Sequence, residues 1–318
     1  MPIDDILVLG GSGFVGRAVC ERLVERSGGG SARVRVPTRH LARARHIQSL
    51  PTVETVEVDL HDDAQLARLV EGRQAVINLV ARLHGSDAEF HQLHVELPRR
   101  LARCCEAAGV RRLIHVSALG ADAAAPSRYL RSKAAGEEAL RTADLALTLL
   151  RPSTIFGEHD HFLNLFATLQ RIFPVMPLAG AQARFQPVWV DDVATAIVAC
   201  LDRPETIGQV IECTGPQAYT LRELVQLAGR WSGHPRPVIA LPDALGRLQA
   251  LVLELLPGEP LMSRDNLASM QVPNVATGRH LGLESLGIRP TPLEGVAPLY
   301  LGGGRDAIRL DPWRARRS

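Results

Sequence analysis

Tyr129 and Lys133 stand four residues apart in Ser127-Arg128-Tyr129-Leu130-Arg131-Ser132-Lys133-Ala134, a spacing that puts both on one face of a helix. A tyrosine with its ordinary pKa of about 10 is a poor acid or base at neutral pH until cations stabilise the phenolate. Lowering that pKa by ~3 units takes about 4 kcal/mol, which an ammonium and a second bound cation can supply together in a partly desolvated site. Of the 36 lysines and arginines in the chain, Lys133 is the only lysine. Its compact ammonium can tune a phenol and hydrogen-bond ribose hydroxyls, roles that a planar guanidinium fills poorly. Ser117, in His115-Val116-Ser117-Ala118, closes the preceding strand, where its hydroxyl could hold a carbonyl oxygen while Tyr129 delivers a proton. The competing reading of Tyr129 and Lys133 is an exposed i,i+4 pair on a helix surface.

The strand Ile6–Leu9 runs into Gly10-Gly11-Ser12-Gly13-Phe14-Val15-Gly16 and then into a helix. Both G-x-x-G-x-x-G and G-x-G-x-x-G can be read in this run, and its place between a first strand and a helix turns a glycine pattern into a mechanism. Gly10, Ser12, Gly13, Phe14, Val15 and Gly16 would bring the backbone and the positive helix end to a pyrophosphate. The ligand expected is a nicotinamide dinucleotide, whose oxidised ring is the second cation beside Tyr129. A ribose-binding carboxylate belongs about 20 residues after the turn in NAD-selective proteins. Here the second strand, Val34-Arg35-Val36-Pro37, ends in Thr38-Arg39 with Arg43 and Arg45 following and no acid nearby. An arginine there can stack on adenine and clamp a 2′-phosphate, so NADP(H) is expected ahead of NAD(H).

These residues need a frame that brings strand ends together, and the first half of the chain supplies the pattern for one. Short β-branched runs near Ile6–Leu9, Arg33–Pro37, Thr55–Val58, Ala75–Leu79, Leu113–Ser117 and Leu145–Leu150 alternate with helical patterns. The helices are expected near Gly13–Glu25, Ala64–Val70, Glu89–Ala107 and Arg128–Thr142. This predicts an α/β, doubly wound parallel sheet of Rossmann type, with ligands at the carboxyl ends of the strands. The expected division is a dinucleotide-binding domain over residues 1–150 and a smaller, proline-punctuated C-terminal lobe over 151–318, some elements of which return to the first domain. Leu245–Leu256 is strongly apolar, and core packing is favoured there over a substrate-cleft wall or a face resting on a membrane or partner.

With these motifs in place the chain resembles an extended, atypical short-chain dehydrogenase/reductase. The resemblance rests on the glycine turn, Asp59-Leu60, Asn78-Leu79-Val80-Ala81, Ser117, Tyr129-x-x-x-Lys133, Leu150-Arg151-Pro152 with Ile155-Phe156-Gly157, and Val190-Asp191-Asp192-Val193-Ala194. It implies that Asp59 and Leu60 flank the adenine, that Val80 and Ala81 line the cofactor ribose, and that Pro152 to Ile155 lie beside the nicotinamide. It also implies an oxidoreductase on a carbonyl or alcohol, with Tyr129, Lys133 and Ser117 catalytic; epimerase or dehydratase chemistry can use the same residues. More narrowly, His115–Gly120 and Ser127–Ala134 are similar to the branch that holds the dinucleotide-binding accessory subunit of respiratory complex I and proteins of ubiquinone biosynthesis. That branch implies a carbonyl or quinone-related substrate, or a non-catalytic place in a membrane-associated respiratory or quinone-biosynthesis complex. One position departs from the family: the asparagine expected early in the fourth helix, which helps hold a water linking the lysine to solvent, is replaced by His94 in His94-Val95.

Composition sets the outer bounds. With 46% apolar and 22% charged residues among 318, the chain is globular in type. Its 36 basic and 34 acidic side chains nearly cancel, so nucleic acid is not an expected partner. The acidic start and the lack of a long uncharged apolar run point to a cytoplasmic protein, or one peripheral at the inner face of the cytoplasmic membrane. Five cysteines without a C-x-x-C pair read as buried thiols, and His84, His91 and His94 lack a completing carboxylate or thiol, so no metal is expected. Asp191 and Asp192 read as the cap of a helix over Val193–Leu201 rather than as an acid/base pair. The arginines of the C-terminal tail, Arg305, Arg309, Arg314, Arg316 and Arg317, read as a solvated end, with anionic lipid or a partner subunit as the alternative.

Overall fold

The computed structural model describes residues 3–28, 30, 32–255 and 260–302. The tail arginines, Gly29 and Leu256 lie outside the described residues. The chain divides into two compact units. The first comprises Met1–Pro152, Val190–Cys213 and Ala276–Arg289, the second Ser153–Trp189, Thr214–Val275 and Pro290–Ser318.

The first unit is built on eight parallel strands: β1 (Asp5–Leu9), β2 (Arg33–Thr38), β3 (Val53–Glu57), β4 (Ala75–Asn78), β5 (Arg112–Val116), β6 (Ala146–Pro152), β7 (Val210–Cys213) and β8 (Leu281–Gly282). Their order across the sheet is β8-β7-β6-β5-β4-β1-β2-β3, so the direction of winding reverses between β1 and β4. That reversal opens a crevice at the carboxyl ends of the strands, where such sheets bind ligands. The central strands β1, β4 and β5 are almost wholly buried and rich in Ile, Leu and Val, as a sheet covered on both faces requires. The helices that cover it include α1 (Phe14–Ser27), α2 (Asp63–Val70), α3 (Leu97–Ala108), α4 (Arg128–Arg141) and α5 (Val190–Leu201). Leu7, Leu9, Leu66, Leu101, Leu113, Leu140 and Leu149 form one continuous core between sheet and helices.

Three local expectations change. The helix expected near Glu89–Ala107 begins at Asp87 under a capping box from Ser86 and Glu89, and it is interrupted by a π-helical turn over Gln92–Glu96 before α3 begins. Periodicity alone cannot show a π turn, because one extra residue barely disturbs the apolar stripe. A short helical stretch over Leu41–Gln48 was not expected, since its run of arginines hides Ala44 and Ile47, the two residues it buries. Asp191 and Asp192 are not caps: α5 begins at Val190, so both lie in its first turn, where negative charge favours the helix dipole.

The second unit has its own core of Phe156, Leu163, Phe166, Leu221, Leu224 and Tyr300. Asp160 organises it by accepting the N–H groups of Leu163 at 2.6 Å and Phe162 at 2.8 Å and the Tyr300 hydroxyl at 2.7 Å. Two short strands, Met176–Leu178 and Val238–Ala240, pair in parallel, and the helix Asp243–Glu254 buries only Gly246 and Ala250. The core packing expected for Leu245–Leu256 therefore fails: Leu245, Leu248, Leu251, Val252 and Leu255 stand in solvent because the residues facing inward are the small ones. No helix among the described residues is long and apolar enough to cross a membrane.

Candidate active site

The glycine turn is shaped by steric necessity. Gly10 sits at φ +79°, where side chains are strained, and a Cβ there would press on the Leu79–Val80 peptide at 3.1–3.2 Å. A Cβ on Gly16 would lie 2.3 Å from the Gly10 oxygen and 2.5 Å from the Gly11 Cα, so the first turn of α1 can lie on the loop only if residue 16 is glycine. No side chain caps α1, whose N-cap is Gly13. The N–H groups of Phe14, Val15 and Gly16 therefore have no acceptor from the helix itself, and a pyrophosphate is the group that such a cradle takes.

The other sequence-predicted contacts of the first unit fall along the same edge of the sheet. Thr38 ends β2, and its hydroxyl makes a turn with the His40 carbonyl; Arg39 follows it, exposed. Among the described residues no carboxylate pairs with Arg39 or Arg43. Asp59, just after β3, uses its carboxylate to accept the His61 N–H at 2.9 Å, and Leu60 packs against the core. After β4 the Val80 N–H donates to the Asn78 side-chain oxygen at 3.1 Å, and Ala81 is exposed. Pro152 ends β6. Ile155 belongs to the second unit, where it pairs with Val188.

Lys133, on α4, is buried, and its Nζ donates to the Val116 carbonyl at 2.8 Å, directly before Ser117. Desolvation pushes the amine down to about 8, against the pull of Glu137 one turn further on. Glu137 is itself buried and held by Arg151 through two bonds, at 2.8 and 2.6 Å. The Ser117 hydroxyl is buried with no hydrogen-bond partner among the described residues, a costly arrangement unless a ligand supplies one. Tyr129, partly buried one turn before Lys133, has its phenol pushed up to about 12 by burial. The lowered pKa expected from the sequence is therefore absent in the protein alone and depends on a bound cation. The exposed-pair reading of Tyr129 and Lys133 fails on burial.

His94 lies within the π turn and is buried. Its Nε2 accepts the Arg82 N–H at 3.1 Å, and its Nδ1 meets Ser132 Oγ at 2.8 Å. Because the Ser132 hydroxyl donates to the Tyr129 carbonyl at 2.7 Å, Nδ1 is the donor toward Ser132 and the ring is neutral. Burial, and then Lys133, push its pKa down to about 3. The ring stacks on Phe90 and meets Tyr129 edge-on, with centroids 5.6 Å apart. His94 thus ties the segment after β4 to α4, with both nitrogens committed, so it is built as a strut and not as a proton carrier. The π turn also aims the His94 carbonyl at α4, where a Cβ on Gly136 would meet it at 1.9 Å. Gly136→Ala is expected to cost about 3 kcal/mol or more, because backbone must move, and to displace Lys133; chemical denaturation and dinucleotide titration would read the two effects.

His115 beneath them is a second neutral imidazole. The Asn78 amide donates to its Nδ1 at 3.1 Å, and burial pushes its pKa well below the ordinary value. Among the described residues no cluster of His, Cys, Asp or Glu could hold a metal ion.

The fold agrees with what comparison with known proteins finds. Residues 6–213 match the model of the NAD dependent epimerase/dehydratase family. The chain belongs to that family. It is 34% identical over 294 residues to NADH dehydrogenase [ubiquinone] 1 alpha subcomplex subunit 9, mitochondrial, of Mus musculus, covering 90% of this chain and 77% of that protein. It is 31% identical to the ceramide reductase of Caulobacter vibrioides, covering 75% and 74%. Among solved structures, the NADPH-dependent quinone oxidoreductase of Escherichia coli, complexed with NADPH, superimposes with a TM-score of 0.75 at 20% identity, covering 93% of this chain and 99% of that one. That last likeness shows the shared fold.

As an epimerase/dehydratase-family protein, the chain has the parts for nicotinamide dinucleotide binding on its first unit. What the sequence could not reveal is the wiring: Arg82 and Ser132 as partners of His94, Glu137 with Arg151 as a buried pair, and Gly136 as the point of helix contact. A glycine inside a helix three residues after the lysine was the available signal for that contact.

Proposed function

We propose that this protein is an NADP(H)-dependent reductase of a carbonyl or quinone-related substrate. The observation that carries the reading is the partnerless, buried hydroxyl of Ser117 beside a buried ammonium bonded to the Val116 carbonyl, one helical turn from Tyr129. A bound dinucleotide supplies hydride chemistry at the nicotinamide ring. Ser117 then donates to the substrate oxygen, and Tyr129 delivers the proton that the oxygen acquires. Lys133 uses its remaining N–H donors on ribose hydroxyls and, with its charge, brings the Tyr129 phenol back toward neutral pH. Arg39 and Arg43 are exposed at the end of β2 and suit a 2′-phosphate.

Fluorescence titration with NADPH and NADH, followed by stopped-flow oxidation with a panel of quinones and small carbonyls, tests the reading. Tyr129→Phe is expected to lower turnover by roughly a thousandfold while leaving NADPH affinity within a few-fold, because its hydroxyl acts on the proton and not on binding. Arg39→Ala is expected to weaken NADPH by on the order of tenfold and leave NADH unchanged. Tight NADPH binding with no turnover on any panel member would overturn the reductase reading.

A second reading is favoured by the likeness to the mitochondrial NADH dehydrogenase subunit together with the locked, neutral His94. In it, NADP(H) stabilises the folded state by mass action and the protein serves as an accessory or assembly subunit of a respiratory or quinone-biosynthesis complex, at the inner face of the cytoplasmic membrane. NADPH that raises the melting temperature without being oxidised is the result it expects.

A further inference from the structure

Most of the large apolar side chains that stand exposed belong to the second unit, concentrated in residues 172–175 and 239–261. The helix Asp243–Glu254 turns Gly246 and Ala250 inward and sends a stripe outward: Leu245 is 51% exposed, Leu248 55%, Val252 52% and Leu255, just past its end, 77%. These recur at i, i+3, i+7 and i+10, the spacing of one helix face. The inward side rests on the strand Met176–Leu178, with the Gln249 amide on the Pro177 carbonyl at 3.2 Å and Gly246 against Ala179. On that small sheet Ile239 pairs with Pro177, and both are exposed, while the exposed Phe173 leads into the same strand. Large apolar side chains exposed in such a cluster mark a surface with a use for them.

The charges around the patch decide what covers it. Arg247, one step round the helix from the stripe, and Arg171, beside Phe173, are exposed, and among the described residues neither has a carboxylate partner. Of the acids on this helix, Glu254 is paired with Arg264 at 2.8 Å, and Asp243 sits at the helix start. A second copy docked on this face would offer these arginines, from the same helix, only the carboxylate of Asp243. A surface of anionic headgroups over acyl chains satisfies both features, with apolar side chains inserted and arginine stems reaching back to the phosphates. A helix of 12 residues is too short to cross a bilayer, so it would lie in the interface plane.

We propose that this face of the second unit docks on an anionic lipid bilayer through Leu245, Leu248, Val252 and Leu255, with Arg247 and Arg171 on the headgroups. The proposal is independent of whether the site on the first unit turns over. The test is flotation of the full chain with vesicles of phosphatidylcholine, and of an equal mixture with phosphatidylglycerol, at low and high salt. The protein is expected to float with the mixed vesicles at low salt and to be released by high salt. Leu248→Glu with Val252→Glu is expected to reduce bound protein by on the order of tenfold or more. Because both positions are exposed, melting temperature and NADPH affinity serve as the check that the double variant is folded. Wild-type protein that stays in solution with both vesicles would overturn the proposal. So would a double variant that still floats, which would assign binding to the tail arginines. A solution dimer that the double variant splits, without flotation of the wild type, would overturn it in favour of self-association.

Discussion

Lys133→Met is expected to make the protein more stable and, under the proposed reductase function, to abolish turnover. The ammonium is buried, its one hydrogen bond among the described residues goes to the Val116 carbonyl, and its pKa falls from 10.5 to about 8. Keeping a proton on that amine at neutral pH costs the fold about 3 kcal/mol. Methionine fills similar volume without charge, and the Val116 carbonyl left unpaired returns roughly 1–2 kcal/mol of that gain. A net gain of about 1–2 kcal/mol is expected, seen as a higher denaturation midpoint at pH 7. The native amine loses its proton above about 8 and the unfolded one only above 10.5, so the advantage of the variant shrinks through that window and reverses above it, where only the lost hydrogen bond remains. NADPH affinity is expected to fall by on the order of tenfold, with the lost ribose contacts, and turnover by roughly a thousandfold, with the tuning of Tyr129. Stability and activity moving in opposite directions is what a residue kept for chemistry shows. A variant that unfolds earlier than the wild type would make Lys133 a structural strut instead.

The same contrast explains what could be read in the sequence. The order β1 to β6 and the glycine turn were legible because parallel strands buried on both faces are written as unbroken apolar runs, and because only glycine fits at positions 10 and 16. The place of Tyr129 and Lys133 one turn apart on one helix was legible from helix periodicity, and the chain's disuse of lysine elsewhere drew the eye to it. The state of the site was not. Whether Tyr129 is an acid at pH 7 depends on desolvation and on charges supplied by other elements, and burial alone drives it the wrong way. The role of His94 was equally hidden, since its partners Arg82 and Ser132 come from separate elements and the π turn that aims it leaves no periodic trace. The helix Asp243–Glu254 was misjudged because apolar content does not say which way a stripe faces; its two small residues, at i and i+4, mark the packed side.

Acid should destabilise this protein as pH falls from 7.5 to 5, because His94 and His115 are neutral in the fold for structural reasons. His94 titrates near 6.5 when unfolded and near 3 when folded, and His115 is held well below its ordinary value. Each unfolded imidazole gains a proton that the folded one refuses, so the stability due to each is complete above about pH 6.5 and is lost as pH falls through that value. By pH 5 the loss is about 2 kcal/mol for His94, and His115 adds to it in the same direction. Asp62 is held below its ordinary range by the Gln65 amide, and Glu89 and Glu223 by the backbone N–H groups of Ser86 and Thr220, so these acids act only at lower pH. Denaturant midpoints measured from pH 7.5 to 5 should therefore fall steeply, and His94→Asn should make that fall distinctly shallower. Asparagine can still accept the Arg82 N–H and donate to Ser132, so NADPH affinity at pH 7.5 should stay within a few-fold of wild type. An unchanged slope in His94→Asn would mean that the imidazole takes up its proton in the folded state, which would require the Arg82 bond to break and would return His94 to consideration as a proton carrier for Lys133.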